Sequence, residues 1–250
     1  MSKISVSLLL FVLLSSSAMA TDSIVFAIDP TKPPMQFISE NGEAVGFEID
    51  LIKEMARLGN LTAVFETVQW QSIFEGLKND QYDAACASIS ITEGRKQEMS
   101  FTVPYYNVSQ AILVLSSSPI QGLGDLRGKR VGAKKGTTSS IALNHLEEID
   151  PELFADVPSA LAALNTNAID AIICDGPVAG HHAFVDQTYD LRLAAVLKSD
   201  NLELYGIAVK KGNKPLLNRL NQAISAIQIN NKDMEFQKKW FSGLLSLDAQ

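Results

Sequence analysis

Four polar residues of this 250-residue chain stand where short apolar runs end. They are Asp29, Ser88, Ser90 and Asp175. Short apolar runs bounded by polar or turn residues are typical of buried strands. In an open α/β sheet, small ligands bind just beyond the carboxyl ends of the strands. We therefore expect these four side chains to line a binding site.

Arg95 and Asp175 have the charges needed to hold the two ends of an α-amino acid. A guanidinium can bind a carboxylate through two parallel hydrogen bonds, which a lysine cannot make, and Asp175 could accept from an ammonium group. The Gly-Thr-Thr segment at 136–138 opens a predicted helix, where backbone N–H groups receive anions. These residues predict a site for a zwitterion. Two alternatives stay open: Arg95 as a surface residue, and Asp175 as a helix N-cap before Pro177.

The residues that could support catalysis or bind a metal form no recognised motif. The chain has no Gly-x-Ser-x-Gly elbow and no His-Glu-x-x-His pair, and the segment at 124–129 lacks the Ser or Thr that completes a phosphate-binding loop. The adjacent His181 and His182 point to different faces of a predicted helix, so we expect a solvated pair. Cys86 and Cys174 lie in apolar runs and are expected to be buried free thiols. We predict no catalytic residue, no metal and no cofactor.

Strand-like and helix-like segments alternate along the chain, which predicts parallel sheets covered by helices. The predicted strands are 23–28, 61–68, 82–90, 111–115, 129–133, 168–174 and 205–209, and the predicted helices are 46–58, 71–78, 138–146, 159–164, 177–184, 215–228 and 233–241. No linker rich in proline or serine separates the two halves. We expect two α/β lobes that meet in a cleft, where small ligands bind.

The first 20 residues have the pattern of a secretory signal peptide. Lys3 precedes an uncharged apolar run at 4–14, and small residues then lead to Ala18-Met19-Ala20, so we expect cleavage after Ala20. The apolar run is shorter than the roughly 20 residues that span a membrane. The net charge of −7 leaves no basic surplus to neutralise phosphates, so we expect neither nucleic acid nor an anionic membrane surface as a partner.

An ordered series of motifs covers the chain after the signal peptide. The series is GFEIDL at 46–51, SISITEGR at 88–95, PYY at 104–106, DLRGKRVG at 125–132, YGIAV at 205–209 and KWF at 239–241. It resembles the periplasmic polar-amino-acid-binding proteins of ABC importers, which are the bacterial solute-binding proteins of family 3. The resemblance implies a type II periplasmic-binding-protein fold, with a flytrap cleft between two lobes.

The resemblance also implies lobe boundaries, partners and location. Lobe 1 would comprise 23–107 and 203–250, and lobe 2 would comprise 108–202. The protein would be a periplasmic monomer that captures an amino acid and delivers it to an ABC permease in the inner membrane.

The resemblance further implies roles for individual residues. Arg95 would bind the α-carboxylate with help from Thr138 and from the backbone near Ser88 and Ser90. Asp175 would bind the α-ammonium group together with the Ser88–Ser90 segment. Trp70 would pack on the ligand side chain, and Asp29 matches an acidic position near the pocket.

Lys32 departs from the family pattern, which usually has an aromatic residue at this position. Lys134 precedes Gly136, where some members contact a polar ligand side chain. Two lysines facing the pocket would repel a lysine or arginine ligand and favour an acidic or amide side chain. The alternative is that Lys32 turns to solvent.

The sequence therefore predicts a binding protein without chemistry of its own. The first alternative is a periplasmic dehydratase of cyclohexadienyl acids such as prephenate and arogenate, built on the same scaffold. The second is a sensory module that reports the ligand to a receptor.

Overall fold

The computed structural model describes residues 22–198 and 201–242. The predicted signal peptide and its cleavage point lie outside these residues. Within them, no helix is both long enough and apolar enough to cross a membrane.

The strands and helices alternate through most of the described chain. The strands are β1 Ser23–Ile28, β2 Thr31–Lys32, β3 Gln36–Ile38, β4 Ala44–Val45, β5 Thr62–Thr67, β6 Ala84–Ala85, β7 Met99–Phe101, β8 Tyr106–Val108, β9 Gln110–Leu115, β10 Arg130–Lys134, β11 Asp150–Phe154, β12 Ala171–Asp175, β13 Leu191–Val196, β14 Glu203–Tyr205 and β15 Ala208–Lys210. The helices are α1 Phe47–Leu58, α2 Ile73–Lys78, α3 Glu93–Glu98, α4 Thr138–Leu143, α5 Val157–Asn165, α6 Gly176–Phe184, α7 Lys214–Ile229 and α8 Lys232–Phe241. Single 3-10 turns lie at Trp70–Ser72 and Leu123–Leu126.

Two five-stranded sheets form the two lobes. The first has the strand order β5-β1-β6-β15-β7, and the second has the order β11-β10-β12-β9-β13. Parallel pairs occupy one side of each sheet, while β15 in the first sheet and β9 in the second pair antiparallel with both neighbours. The sheets are therefore mixed. The alternating pattern of the sequence predicts parallel sheets, and this prediction is wrong for the antiparallel side of each sheet.

The chain passes between the sheets at a two-stranded antiparallel ribbon. In it β8 pairs with β14, with Tyr106 opposite Tyr205 and Val108 opposite Glu203. Every strand of the second sheet comes from the chain between these two strands. The lobe boundaries expected from the sequence fall at this ribbon and stay a prediction.

Each sheet is covered by the apolar faces of its helices. α1 buries Phe47, Ile49, Leu51, Ile52 and Met55, whereas its outer face carries charged residues and its last turn ends at Gly59. α5 begins at the N-cap Asp156, whose carboxylate accepts from the Ser159 amide at 2.8 Å. Burial of these faces is the main stabilising contribution, at about 25 cal/mol per Å² of apolar surface.

Cys86 and Cys174 are buried free thiols, as predicted. Burial raises the pKa of both thiols above the ordinary value.

Candidate functional site

The nine residues proposed from the sequence come together between the two sheets. Six of them are at most 5% exposed: Asp29, Lys32, Trp70, Ser88, Ser90 and Lys134. Asp175 is 9% exposed, and Arg95 and Thr138 are linked to the others by the hydrogen bonds described below.

Trp70 lies at the centre of the site, in the 3-10 turn that precedes α2. Three cationic groups surround its indole: Lys32 Nζ at 4.8 Å from the ring centroid, Arg95 Cζ at 5.3 Å and Lys134 Nζ at 5.5 Å. Distances in this range permit cation–π attraction, which stabilises a cation held away from water. The loop after β10 also approaches the indole closely, because a Cβ added to Gly136 would lie 3.2 Å from Trp70 Nε1. Gly136 has φ +78°, a conformation that favours glycine.

Arg95 lies in the first turn of α3 and connects the two sides of the site. Its guanidinium donates to the carbonyl of Ser90 at 2.9 Å and to the carbonyl of Gly136 at 3.1 Å. Two of the five N–H donors of an arginine are used in these bonds. Burial lowers the pKa of Arg95, and the nearby carboxylates of Glu203 and Asp175 oppose that effect. Arg95 is therefore a partly buried cation and not an ordinary surface arginine.

Lys134 and Asp29 form a buried ion pair between the two sheets. Their side chains are only 4% and 3% exposed. Thr31 Oγ1 donates to Asp29 Oδ1 at 2.8 Å and lies 3.3 Å from Lys134 Nζ, so it contacts both partners. Burial lowers the pKa of Lys134 to about 8, and the positive charge of Lys32 acts in the same direction.

Lys32 faces inward from β2, so the alternative that it turns to solvent is wrong. It is 2% exposed, and its ammonium donates to the carbonyl of Ala87 at 3.1 Å. Behind it lies the fully buried Glu48, which Lys32 influences through its charge. Burial raises the pKa of Glu48, against the lowering effects of its hydrogen bond from Tyr105 and of the Lys32 charge.

Glu48 also holds the strand end that carries Ser88. The amide of Ser88 donates to Glu48 Oε1 at 2.7 Å, and Gln36 and Tyr105 donate to the same carboxylate. Ser88 has φ +53°, which is uncommon for a residue with a side chain. The carboxylate thus receives an amide that an extended strand would have directed elsewhere. Glu48 belongs to the GFEIDL segment at 46–51, but the sequence alone predicts no role for it. The available signal is a charged residue beside the apolar face of α1.

Asp175 stands at the N-cap position of α6 but makes no side-chain capping bond. Its Oδ1 accepts instead from Gln110 Nε2 at 2.9 Å. The same Nε2 lies 2.9 Å from Glu203 Oε2, so one amide group bridges two carboxylates. Asp175 therefore faces the site, and the N-cap alternative does not account for its side chain.

Glu203 and Gln110 are site residues that sequence reasoning missed. Glu203 Oε1 accepts from Ser90 Oγ and from Thr138 Oγ1, each at 2.5 Å. These contacts join residues 113 and 65 positions apart in sequence. Neither residue belongs to a motif of its own, and the only signal was the position of Glu203 beside the predicted last strand.

The prediction that His181 and His182 form a solvated pair is wrong. His182 is 6% exposed, and its Nδ1 lies 2.8 Å from Asp186 Oδ2. His181 packs near Phe37, with the ring centroids 6.4 Å apart. Burial lowers the pKa of His181 to about 4, and the neighbouring His182 contributes to the shift. Among residues 22–198 and 201–242, no group of His, Cys, Asp and Glu could hold a metal ion.

Comparison with known proteins gives one consistent family. Residues 24–243 match the model of the bacterial extracellular solute-binding proteins, family 3. The chain is 30% identical over 229 residues to an ABC transporter arginine-binding protein 1 from Escherichia coli (strain K12), covering 90% of this chain and 93% of that protein. It is 33% identical over 208 residues to an ABC transporter glutamine-binding protein from Bacillus subtilis (strain 168), covering 80% and 74%. Among solved structures, an ancestral arginine-binding protein bound to glutamine has a TM-score of 0.83 at 30% identity, covering 89% of this chain and 99% of that one.

Proposed function

This chain belongs to the bacterial extracellular solute-binding proteins of family 3, and we propose that it captures a polar amino acid with an acidic or amide side chain for an ABC importer. The relatives reported above are binding proteins, so the function is binding and not catalysis. No observation favours the dehydratase alternative. We further propose that the mature protein works as a monomer in the periplasm, after cleavage behind Ala20.

One end of the site suits the α-amino and α-carboxylate groups. Arg95 would bind the carboxylate with donors that its two carbonyl contacts leave over. The first-turn amides of α4 near Thr138 would assist, because helix N-termini attract anions. Asp175 would accept from the ammonium group. These roles follow from the chemistry of the residues and from their proximity around Gln110 and Glu203.

The observation that supports the ligand class is the positive charge of the two lysines around Trp70. Two buried lysine ammonium groups, of Lys32 and Lys134, lie within 5.5 Å of the Trp70 ring centroid. Among the residues that the structure describes, one carboxylate, that of Asp29, forms an ion pair with them. A ligand side chain packed on Trp70 would therefore meet a surplus of positive charge. An arginine or lysine side chain would be repelled there, whereas a carboxylate or amide oxygen would be attracted.

Closure of the cleft would couple binding to transport. Arg95 follows a strand of the first sheet, and Asp175 ends a strand of the second. A zwitterion held by both would favour the closed arrangement of the two lobes, by an amount set by its differential affinity for the two states. A membrane permease would then recognise the closed form. We place the lobe boundaries at 23–107 with 203–250 and at 108–202.

A calorimetric panel tests this proposal. The purified mature protein is denatured, refolded without ligand and titrated with glutamate, aspartate, glutamine, asparagine, arginine, lysine and histidine. We expect the tightest binding among the first four. Arg95→Ala and Asp175→Ala should abolish measurable binding, while Lys53→Ala, at an exposed position of α1, should not change it. Tighter binding of arginine or lysine than of any acidic or amide ligand would refute the ligand class, and unchanged affinity in both site variants would refute the site.

A further inference from the structure

Glu203 receives hydrogen bonds from residues on both sides of the cleft. Ser90 lies between strands of the first sheet, and Thr138 opens the helix that follows β10 of the second. Their hydroxyl oxygens are 3.4 Å apart and both lie 2.5 Å from Glu203 Oε1. Bonds between a hydroxyl and a charged acceptor are stronger than neutral ones. Any separation of the two lobes would lengthen at least one of them.

The position of Glu203 in the fold gives these bonds their importance. It is the first residue of β14 and lies opposite Val108 in the ribbon where the chain passes between the sheets. The carboxylate is therefore attached close to the axis about which the lobes would move. A group near such an axis can reach both lobes without entering the middle of the cleft.

A second set of hydrogen bonds holds Oε2, the other carboxylate oxygen of Glu203. Gln110 Nε2 donates to Glu203 Oε2 and to Asp175 Oδ1, and Gln110 Oε1 accepts from Ser139 Oγ at 2.5 Å. The amide of Gln110 is thus held in one orientation by Ser139. Both oxygens of Glu203 have defined donors, so the side chain has little freedom to turn towards a ligand.

We propose that Glu203 is a positioning residue that holds the cleft closed by receiving Ser90 and Thr138 from opposite lobes. This proposal rests on the proposed function in one respect, which is that the cleft closes when the amino acid binds. Glu203 orients the hydroxyls of Ser90 and Thr138 away from the ligand. Loss of Glu203 should therefore weaken the binding of every ligand by a similar factor and leave the preference among ligand side chains unchanged.

Two variants and a control separate this role from direct ligand contact. Glu203→Ala removes all three bonds. Glu203→Gln keeps the size and one acceptor but places an NH₂ group against the NH₂ of Gln110. Glu40→Ala, at an exposed position, is the control. Glutamate and glutamine are the probe ligands for calorimetry, and thermal melting confirms that each variant is folded. We expect Glu203→Ala to weaken both ligands by roughly 10- to 100-fold and by the same factor within about threefold, with a smaller loss for Glu203→Gln.

Interlobe distances give a readout that does not depend on the ligand. Spin labels at Lys53→Cys and Asn165→Cys, both exposed, report on the two lobes, and the buried native thiols should not react. In the ligand-free protein, Glu203→Ala should lose population at the short distance that the wild type samples. Identical ligand-free distributions would overturn the proposal. So would tighter binding by Glu203→Ala, which would make Glu203 a competitor for the ligand carboxylate, or unequal loss for the two ligands, which would make it a ligand contact. Failure of glutamate and glutamine to bind the wild type would count against the ligand class alone.

Discussion

Substitution of Lys32 by methionine is the most direct test of how this site selects a side chain. Methionine keeps an unbranched apolar stem against Trp70 but removes the charge. The substitution also leaves the carbonyl of Ala87 without the ammonium that donates to it at 3.1 Å. That loss is the same whichever ligand is bound, so it cancels when the affinities of two ligands are compared.

The size of the effect follows from the distances around the indole. Lys32 Nζ lies 4.8 Å from the Trp70 centroid, and a ligand side chain stacked on the same ring would place its charge on the order of 6 Å from this ammonium. At an effective dielectric constant of about 20, two unit charges at that separation interact by about 2–3 kcal/mol. Removal of the charge should therefore weaken glutamate and strengthen arginine by roughly 30- to 150-fold each. The ratio of the two dissociation constants should shift towards arginine by the product of these changes, roughly 10³- to 10⁴-fold.

Isothermal titration calorimetry of wild type, Lys32→Met and Lys53→Met with both ligands measures this ratio. Lys53 is exposed on α1, so its substitution changes the net charge equally and should leave the ratio within about twofold. Glutamine carries no side-chain charge, so the change in its dissociation constant on Lys32→Met should lie between the changes for glutamate and arginine. A ratio for Lys32→Met that stays within twofold of the wild-type value would show that Lys32 does not face the ligand side chain, and the reasoning from charge would fail.

Three further predictions concern the groups around the site. Lys134→Met should weaken glutamate binding by roughly 10- to 100-fold, because it leaves the carboxylate of Asp29 buried and unpaired; the double variant with Asp29→Asn should lose less than the sum of the single losses, and calorimetric additivity would contradict the ion pair. Burial holds the pKa of His181 at about 4, below its ordinary value of 6.5. The unfolded chain therefore binds more protons between these values, and the free energy of unfolding should fall as the pH falls from 6.5 to 4, by about 2 kcal/mol after allowance for partial exposure. Urea titrations at pH 7 and 4.5 measure this loss, and His181→Gln should reduce it; an equal loss in that variant would assign it to other groups. Cys86 and Cys174 should react with a thiol reagent only after denaturation, because burial raises the pKa of both; fast labelling of the native protein would contradict their burial.

The elements of this fold could be predicted where local patterns and packing agree. The helix expected at 46–58 is α1 at Phe47–Leu58, since its apolar residues recur at helical spacing and Gly59 follows directly. The strand expected at 82–90 is reduced to Ala84–Ala85. Its continuation is apolar and buried, but Ser88 adopts a positive φ and donates to Glu48, which is a long-range contact that no local pattern contains.

The site could be predicted only in part for a related reason. Arg95 and Asp175 follow strand-like runs and carry opposite charges, so the sequence predicts that both line a site for a zwitterion. Glu203 and Gln110 are 93 positions apart and meet only when the ribbon of β8 and β14 has formed. An isolated polar residue gives no periodic signal, and its partner is decided by topology. Residues that act through other polar residues are for this reason the ones that the sequence does not reveal.

Ligand specificity differs among proteins with this fold. Relatives named for arginine and for glutamine have 30% and 33% identity to this chain, and the ancestral protein named for arginine has been solved with glutamine bound. The shared α-amino acid groups do not distinguish such ligands, so under the proposed function we expect the groups around Trp70 to do so. The charge of Lys134 is opposed by Asp29 in direct contact, whereas Lys32 donates to a carbonyl and has Glu48 only at longer range, with the acceptor oxygens of that residue bonded to Gln36, Tyr105 and Ser88. An anionic ligand side chain would supply the ion-pair partner that Lys32 lacks at hydrogen-bond distance. Position 32 is therefore the one at which a single substitution should change the ligand class most.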